Sequence, residues 1–159
     1  ESGSQRILDL YHKNITKDMI RKTFKSCKKK KISIVGTFLI GLPGEQKEDV
    51  LETIRFSKEL GCDYASFNVP VARARTGLRQ MAINSSLVGE KDLEADQSGA
   101  YGAIGTSFLS SDDIRRLKRK AEFEFYCRLS YIMIRIWKTK SFRELAINIK
   151  NGLSILGRQ

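Results

Sequence analysis

The 159 residues favour a single core-forming unit, and a hydrophobic fraction of 41% is ordinary for a globular chain. Formal net charge is +11, an excess that attracts nucleic acid, anionic lipid or an acidic partner when it is not simply a solvated helix face. The longest apolar runs, VGTFLIGL and YIMIRIW, fall well short of the roughly 18 residues a membrane-spanning helix requires.

In chain order, SQRILDLYH (residues 4–12) reads as a short helix with Ser4 as its cap. Thr16 caps a second helix. Asp18 lies in its first turn, and Ile20, Phe24 and Cys27 fall on one face. The run Lys28–Lys31 ends it, where cations suit the helix dipole. Residues 32–42 are nearly continuous β-branched and aromatic sequence, which predicts a parallel strand buried on both faces. After the turn GLPGE, residues 48–60 carry a helical stripe of Val50, Leu51, Ile54, Phe56 and Leu60, and Gly61 stops it. Residues 64–71 form a second strand candidate. Strand, helix, strand at this pitch predicts a βαβ unit, and sites in such folds lie at the carboxyl ends of the strands. GLPGE and NVPVARARTG occupy those ends.

Residues 84–106 are rich in Gly and Ser and read as a loop. Ser110 or Ser111 then caps one long helix through about Trp137, and Ser141 starts a last one. The aromatics of this tail, Phe123, Phe125, Tyr126, Tyr131 and Trp137, stand among arginines and lysines. RNA binders interleave the two for stacking, but helical spacing favours packing.

Cys27, Cys62 and Cys127 follow no metal-binding spacing, and His12 is the only histidine. Unpatterned thiols of this kind suit a reducing cytoplasm. The glycines at 41 and 44 allow unusual backbone angles or a close ligand approach, Pro43 stiffens the turn, and Glu45, Glu48 and Asp49 place carboxylates at the start of the next helix. A plain structural turn is the alternative reading of the same stretch.

Three segments together, Glu1-Ser2-Gly3-Ser4, Lys13-Asn14-Ile15-Thr16 and FLIGLPGE (residues 38–45), resemble the second half of a radical S-adenosylmethionine barrel over residues 1–78. The basic tail resembles the helical extension of cobalamin-associated members, among them the anaerobic magnesium-protoporphyrin monomethyl ester cyclases. The resemblance implies an α/β fold: part of an incomplete (β/α) TIM-like barrel with parallel strands over residues 1–83, a linker at 84–106 and basic helices at 107–159. It implies that Glu1 bonds the ribose hydroxyls of S-adenosylmethionine, that Lys13 pairs with the methionyl carboxylate, that Ile40 and Gly41 pack on adenine, and that Val69 to Val71 offer backbone contacts to the same ring. A solvated lysine is the alternative at 13. In the family a 4Fe–4S cluster reduces the cofactor, and some members add cobalamin. The CxxxCxxC cluster loop is absent from this sequence, as is the PYPGT-like turn of relatives, replaced here by VARARTG. The expectation is therefore a stretch of a longer enzyme, catalytically silent by itself, whose partners are the rest of that protein, a small-molecule substrate and, through the basic helices, nucleic acid. Unpaired strand edges predict self-association or a shielding segment.

Overall fold

The computed structural model describes residues 1–71, 75, 77–84 and 105–138. Eight elements follow one another: α1 (Gln5–Leu10), α2 (Lys17–Lys29), β1 (Val35–Leu39), α3 (Lys47–Leu60), β2 (Tyr64–Asn68), α4 (Gly77–Asn84), α5 (Ser111–Tyr126) and α6 (Leu129–Lys138). β1 and β2 are parallel neighbours, in register from Val35 opposite Tyr64 to Leu39 opposite Asn68. With α3 between them they form the predicted βαβ unit.

Local chemistry sets most element ends. Thr16 Oγ1 accepts the Met19 N–H at 3.2 Å, capping α2. Ser110 Oγ accepts the Asp113 N–H at 3.1 Å, while the Asp113 carboxylate accepts the Ser110 N–H at 3.2 Å, a reciprocal cap at the start of α5. Gly61 ends α3 in the left-handed region, at φ 56°. α2 ends without a glycine: Lys31 takes that conformation at φ 58°, and the Ile32 N–H reaches back to the Cys27 carbonyl at 3.0 Å.

α3 and α5 cover one face of the sheet. Phe38 and Phe67 stack at 5.3 Å between ring centres, and Phe125 meets Phe67 edge-on at 6.3 Å. Val50, Ile54, Ile114, Leu117 and Ala121 close the core around them. The stripe predicted for the helix after GLPGE is buried or half-buried as expected.

The other face is open, and here the sequence expectation fails. β1 alternates instead of burying both faces: Gly36 and Phe38 point into the core, whereas Val35 remains 64% exposed and Thr37 is exposed. Its span is 35–39, not 32–42, and β2 ends at Asn68, not at residue 71. The tail also departs from expectation. The long helix breaks after Tyr126, where the Cys127 N–H bonds the Phe123 carbonyl at 2.8 Å and Arg128 turns inward to donate to the Lys58 carbonyl at 2.8 Å. α6 is then tied to the start of β2, since Tyr131 Oη and Arg135 Nη2 both donate to the Asp63 carbonyl at 3.0 Å. Of the tail aromatics, Phe125, Tyr126 and Tyr131 pack as read. Phe123 and Trp137 do not, at 57% and 88% exposed. α4 had no counterpart in the sequence reading. The predicted last helix and most of the 84–106 loop lie outside the described residues. Among the described residues, no helix is long and apolar enough to cross a membrane.

Candidate functional site

The turn after β1 is built from its own residues. The Glu45 N–H bonds the Leu42 carbonyl at 2.9 Å, so Leu42 to Glu45 form a β-turn with Pro43 second and Gly44 third. Gly44 lies at φ 80°, the left-handed value a type II turn demands at that position. Gly41 lies at φ 93°, which turns its N–H and that of Leu42 onto one carboxylate oxygen of Glu45, at 2.6 and 3.1 Å. Two glycines are needed because one makes the turn and the other aims the backbone at the acid. Glu45 is wholly buried and its second oxygen has no hydrogen-bond partner. Burial drives its pKa up to about 7, against the two N–H bonds, which favour the anion.

Outside the turn the chain's first residues lock it in place. Ser4 stands at the N-cap position of α1, yet its hydroxyl does not cap. It donates instead to Asp49 at 2.7 Å. Arg6 also bonds Asp49, and its Nη2 donates to the Gly44 carbonyl at 2.8 Å. Burial disfavours the Asp49 anion, but Arg6, Ser4 and the Gln46 N–H outweigh it and hold the acid below its ordinary range. Ser2 and the Gly3 N–H meet the Thr53 hydroxyl at 3.2 and 2.9 Å. A Cβ on Gly3 would stand 2.6 Å from the Thr53 Cα. Tyr11 Oη donates to the Pro43 carbonyl at 2.9 Å, and burial, with the Glu45 charge behind it, pushes this phenol up to about 12.

These contacts shape a concavity of about 470 Å³ at the carboxyl ends of the two strands, within the ordinary range for small-molecule sites. It is lined by Glu1, Tyr11 and Lys13 from the first residues, by Thr37, Leu39 and Leu42 from β1 and its turn, and by Asn68 to Val71 from the end of β2. Lys13 Nζ lies 2.6 Å from the Glu1 carboxylate, both groups remaining half open to solvent. The Glu1 carbonyl accepts the Leu39 N–H at 2.8 Å. Because the next N–H, of Ile40, goes to Asn68 of β2, Glu1 lies on the opposite edge of β1.

The structure thus gathers Glu1, Lys13 and Val69 around one cavity. It places Ile40 elsewhere, fully buried in the core beneath the site. Gly41 is buried too, against Ile114, with its N–H occupied by Glu45. Tyr11, Leu39, Leu42 and Asn68 were missed as lining residues. Their place at the carboxyl ends of the paired strands could have flagged Leu39 and Asn68, but nothing local marks Tyr11. Among the described residues no three His, Cys, Asp or Glu side chains gather where they could hold a metal ion. Cys62 is a buried thiol whose pKa is raised by that burial, and Cys27 and Cys127 are half-buried.

No family model matches the chain. It is 32% identical over 142 residues, 89% of its length, to an uncharacterized methyltransferase of Pyrococcus horikoshii. Over 93 residues, 57% of its length, it is 32% and 30% identical to tRNA-2-methylthio-N(6)-dimethylallyladenosine synthases from two subspecies of Buchnera aphidicola. The chain spans 31% of the archaeal relative and 21% of each bacterial one.

Proposed function

We propose that this chain is part of a radical S-adenosylmethionine enzyme, a stretch of its barrel followed by a helical extension, and that the concavity receives the adenosyl and methionyl parts of the cofactor. The observation that carries this reading is the convergence of Glu1 and Lys13, twelve residues apart in sequence, on one side of a cavity at the carboxyl ends of parallel strands. The chemistry of the two groups fits the ligand. A carboxylate accepts both hydroxyls of a ribose diol, and an ammonium pairs with a carboxylate. The half-exposed ion pair itself is worth little, so it opens at small cost when a zwitterionic ligand supplies better partners. Leu39, Leu42 and Val69 give the apolar floor on which a purine would rest, and the Val69–Val71 backbone would lie along its edge. The names of the relatives, an uncharacterized methyltransferase and two synthases of a tRNA 2-methylthio-adenosine, accord with it.

The residues present do not fit an iron–sulfur cluster. Three cysteines in unrelated elements cannot supply a CxxxCxxC loop, so cluster chemistry belongs to residues beyond these 159, and cobalamin, if the whole enzyme uses it, likewise. Titrating the chain with S-adenosylmethionine, followed by methyl NMR, tests the reading. Shifts confined to Leu39, Leu42, Val69 and Val71 are expected, with affinity weakened roughly tenfold to a hundredfold in Glu1→Ala or Lys13→Ala, the loss of about one charge-assisted hydrogen bond. Shifts scattered elsewhere, or insensitive to both variants, would sink it.

A second reading concerns the substrate. A net charge of +11 and two relatives named for a tRNA product favour RNA over a small molecule as what the whole enzyme modifies.

A further inference from the structure

The basic residues of α2 divide into two sets. Those turned towards α3 are matched: Lys17 with Glu52, Arg21 with Glu59 and Asp18, and Lys28 with the Leu60 carbonyl at 2.6 Å. Those turned outward are not. Lys22, Lys25 and Lys29 recur at the spacing of one helix face, Lys30 and Lys31 continue past the helix end, and all five are exposed with, among the described residues, no carboxylate against them. Cations suit the last turn of a helix, but that accounts for Lys29 and Lys30, not for Lys22 and Lys25. Like charges three and four residues apart destabilise a helix. Lys31 adds a second cost, since it occupies a left-handed position where glycine is the unstrained choice. Charge density is maintained here against the preferences of the fold.

We infer that the outer face of α2 and its lysine terminus form a docking surface for the phosphate backbone of an RNA strand, remote from the concavity. This deepens the RNA-substrate reading given above. α2 begins close to the concavity, four residues after Lys13, and its 13 residues carry the lysine terminus about 20 Å away. An RNA strand would be gripped along α2, at a distance from the concavity that the cofactor occupies in the reading above. Lysines suit this role, because point charges on long stems follow a backbone without reading its sequence. A membrane surface fits less well. Basic helices that lie on bilayers carry a continuous bulky apolar face beside their charges, whereas here Thr23 and Ser26 stand between the lysines, Ile20 and Phe24 face the core, and the exposed apolar residues Met19 and Ile32 lie only at the two ends of the run.

The test is fluorescence anisotropy of a labelled single-stranded 20-mer RNA with the 159-residue chain over a range of salt. Replacing Lys22, Lys25 and Lys29 by Gln should weaken binding about tenfold and flatten the log–log salt slope by about 2, three contacts at roughly 0.7 each. The same number of charges removed from α5, at Arg115, Arg116 and Arg119, should do markedly less. Lys31→Gly separates binding from folding: it relieves the left-handed residue, so its Tm should hold or rise while RNA affinity falls. Glu1→Ala and Lys13→Ala should leave RNA binding intact, so failure of the cavity assignment and failure of this one are told apart. Equal losses from the α2 and α5 triples, unchanged binding in Lys31→Gly, or preferential capture by phosphatidylserine vesicles or polyglutamate would each overturn the inference.

Discussion

Glu45 shows how a single residue can make a turn conditional on pH. Its carboxyl is wholly buried, accepts two backbone N–H bonds through one oxygen, and has a pKa raised from 4.5 to about 7. Below pH 4.5 the proton is bound in both the folded and the unfolded chain. Between 4.5 and about 7 the unfolded chain releases it and the folded chain keeps it, so this group's stabilisation is present at low pH and is lost as pH rises through 7. The size is on the order of 3 kcal/mol. Urea unfolding at pH 5 and pH 8 should therefore show a stability loss in the parent chain that Glu45→Gln abolishes. The amide oxygen can still accept from Gly41 and Leu42, so the variant should fold. A parent and variant with parallel pH profiles would refute a raised pKa. The sequence placed a carboxylate here as a helix-dipole partner. Its actual partners are the N–H groups of its own turn, which only the left-handed Gly41 makes available.

At the scale of elements, two phenylalanines two positions apart in α5, just before its join with α6, face opposite ways. Phe125 is fully buried, touching Phe67, Tyr126 and Tyr131, with the Arg128 guanidinium 4.4 Å from its ring centre. Phe123 points to solvent. Phe125→Ala should cost about 3–5 kcal/mol in urea unfolding, and Phe123→Ala within about 0.5. Comparable losses would mean that the helix packs with another face inward. The same join marks how far the sequence could be read. Caps such as Thr16, Ser110 and Gly61, and the apolar stripe of α3, are local signals and were legible. So was the parallel pairing of β1 and β2, from their pitch around one helix. The break at Cys127 was not, because the residues that cause it, Arg128, Tyr131 and Arg135, bond carbonyls of Lys58 and Asp63 some 70 positions away. The one-sided burial of β1 was hidden for a related reason. Its open face carries Val35 and Leu39, residues as apolar as those on the buried face, so no alternation appeared. Around the cavity, Glu1 and Lys13 were singled out by motif resemblance and Asn68 stands at a strand end, whereas Tyr11 enters only through tertiary placement.

Considered as a whole, the described residues carry more apolar surface than their own elements cover. A two-stranded sheet is marginal unless a face is packed, and here one face is packed on α3 and α5 while Val35 and Tyr64 stand open on the other at 64% and 45% exposed. The edge of β1 away from β2 meets Glu1 at its carboxyl end, leaving its amino end to offer backbone groups for pairing. α6 adds Met133, Ile136 and Trp137, each at least half exposed. Exposed apolar side chains and a free strand edge promote association, and the chain spans only 31% of its archaeal relative, a protein long enough to cover such a face internally. Sedimentation velocity of the 159-residue chain should thus give a weight-average coefficient that rises with concentration. Val35→Lys places a charge on the open strand without touching the core, so it should change stability by no more than about 0.5 kcal/mol while shifting the coefficient towards the single-chain value. Should the parent sediment as a single chain at every concentration, the open face is tolerated in water, and the balance of forces inferred here for the sheet would have to be abandoned.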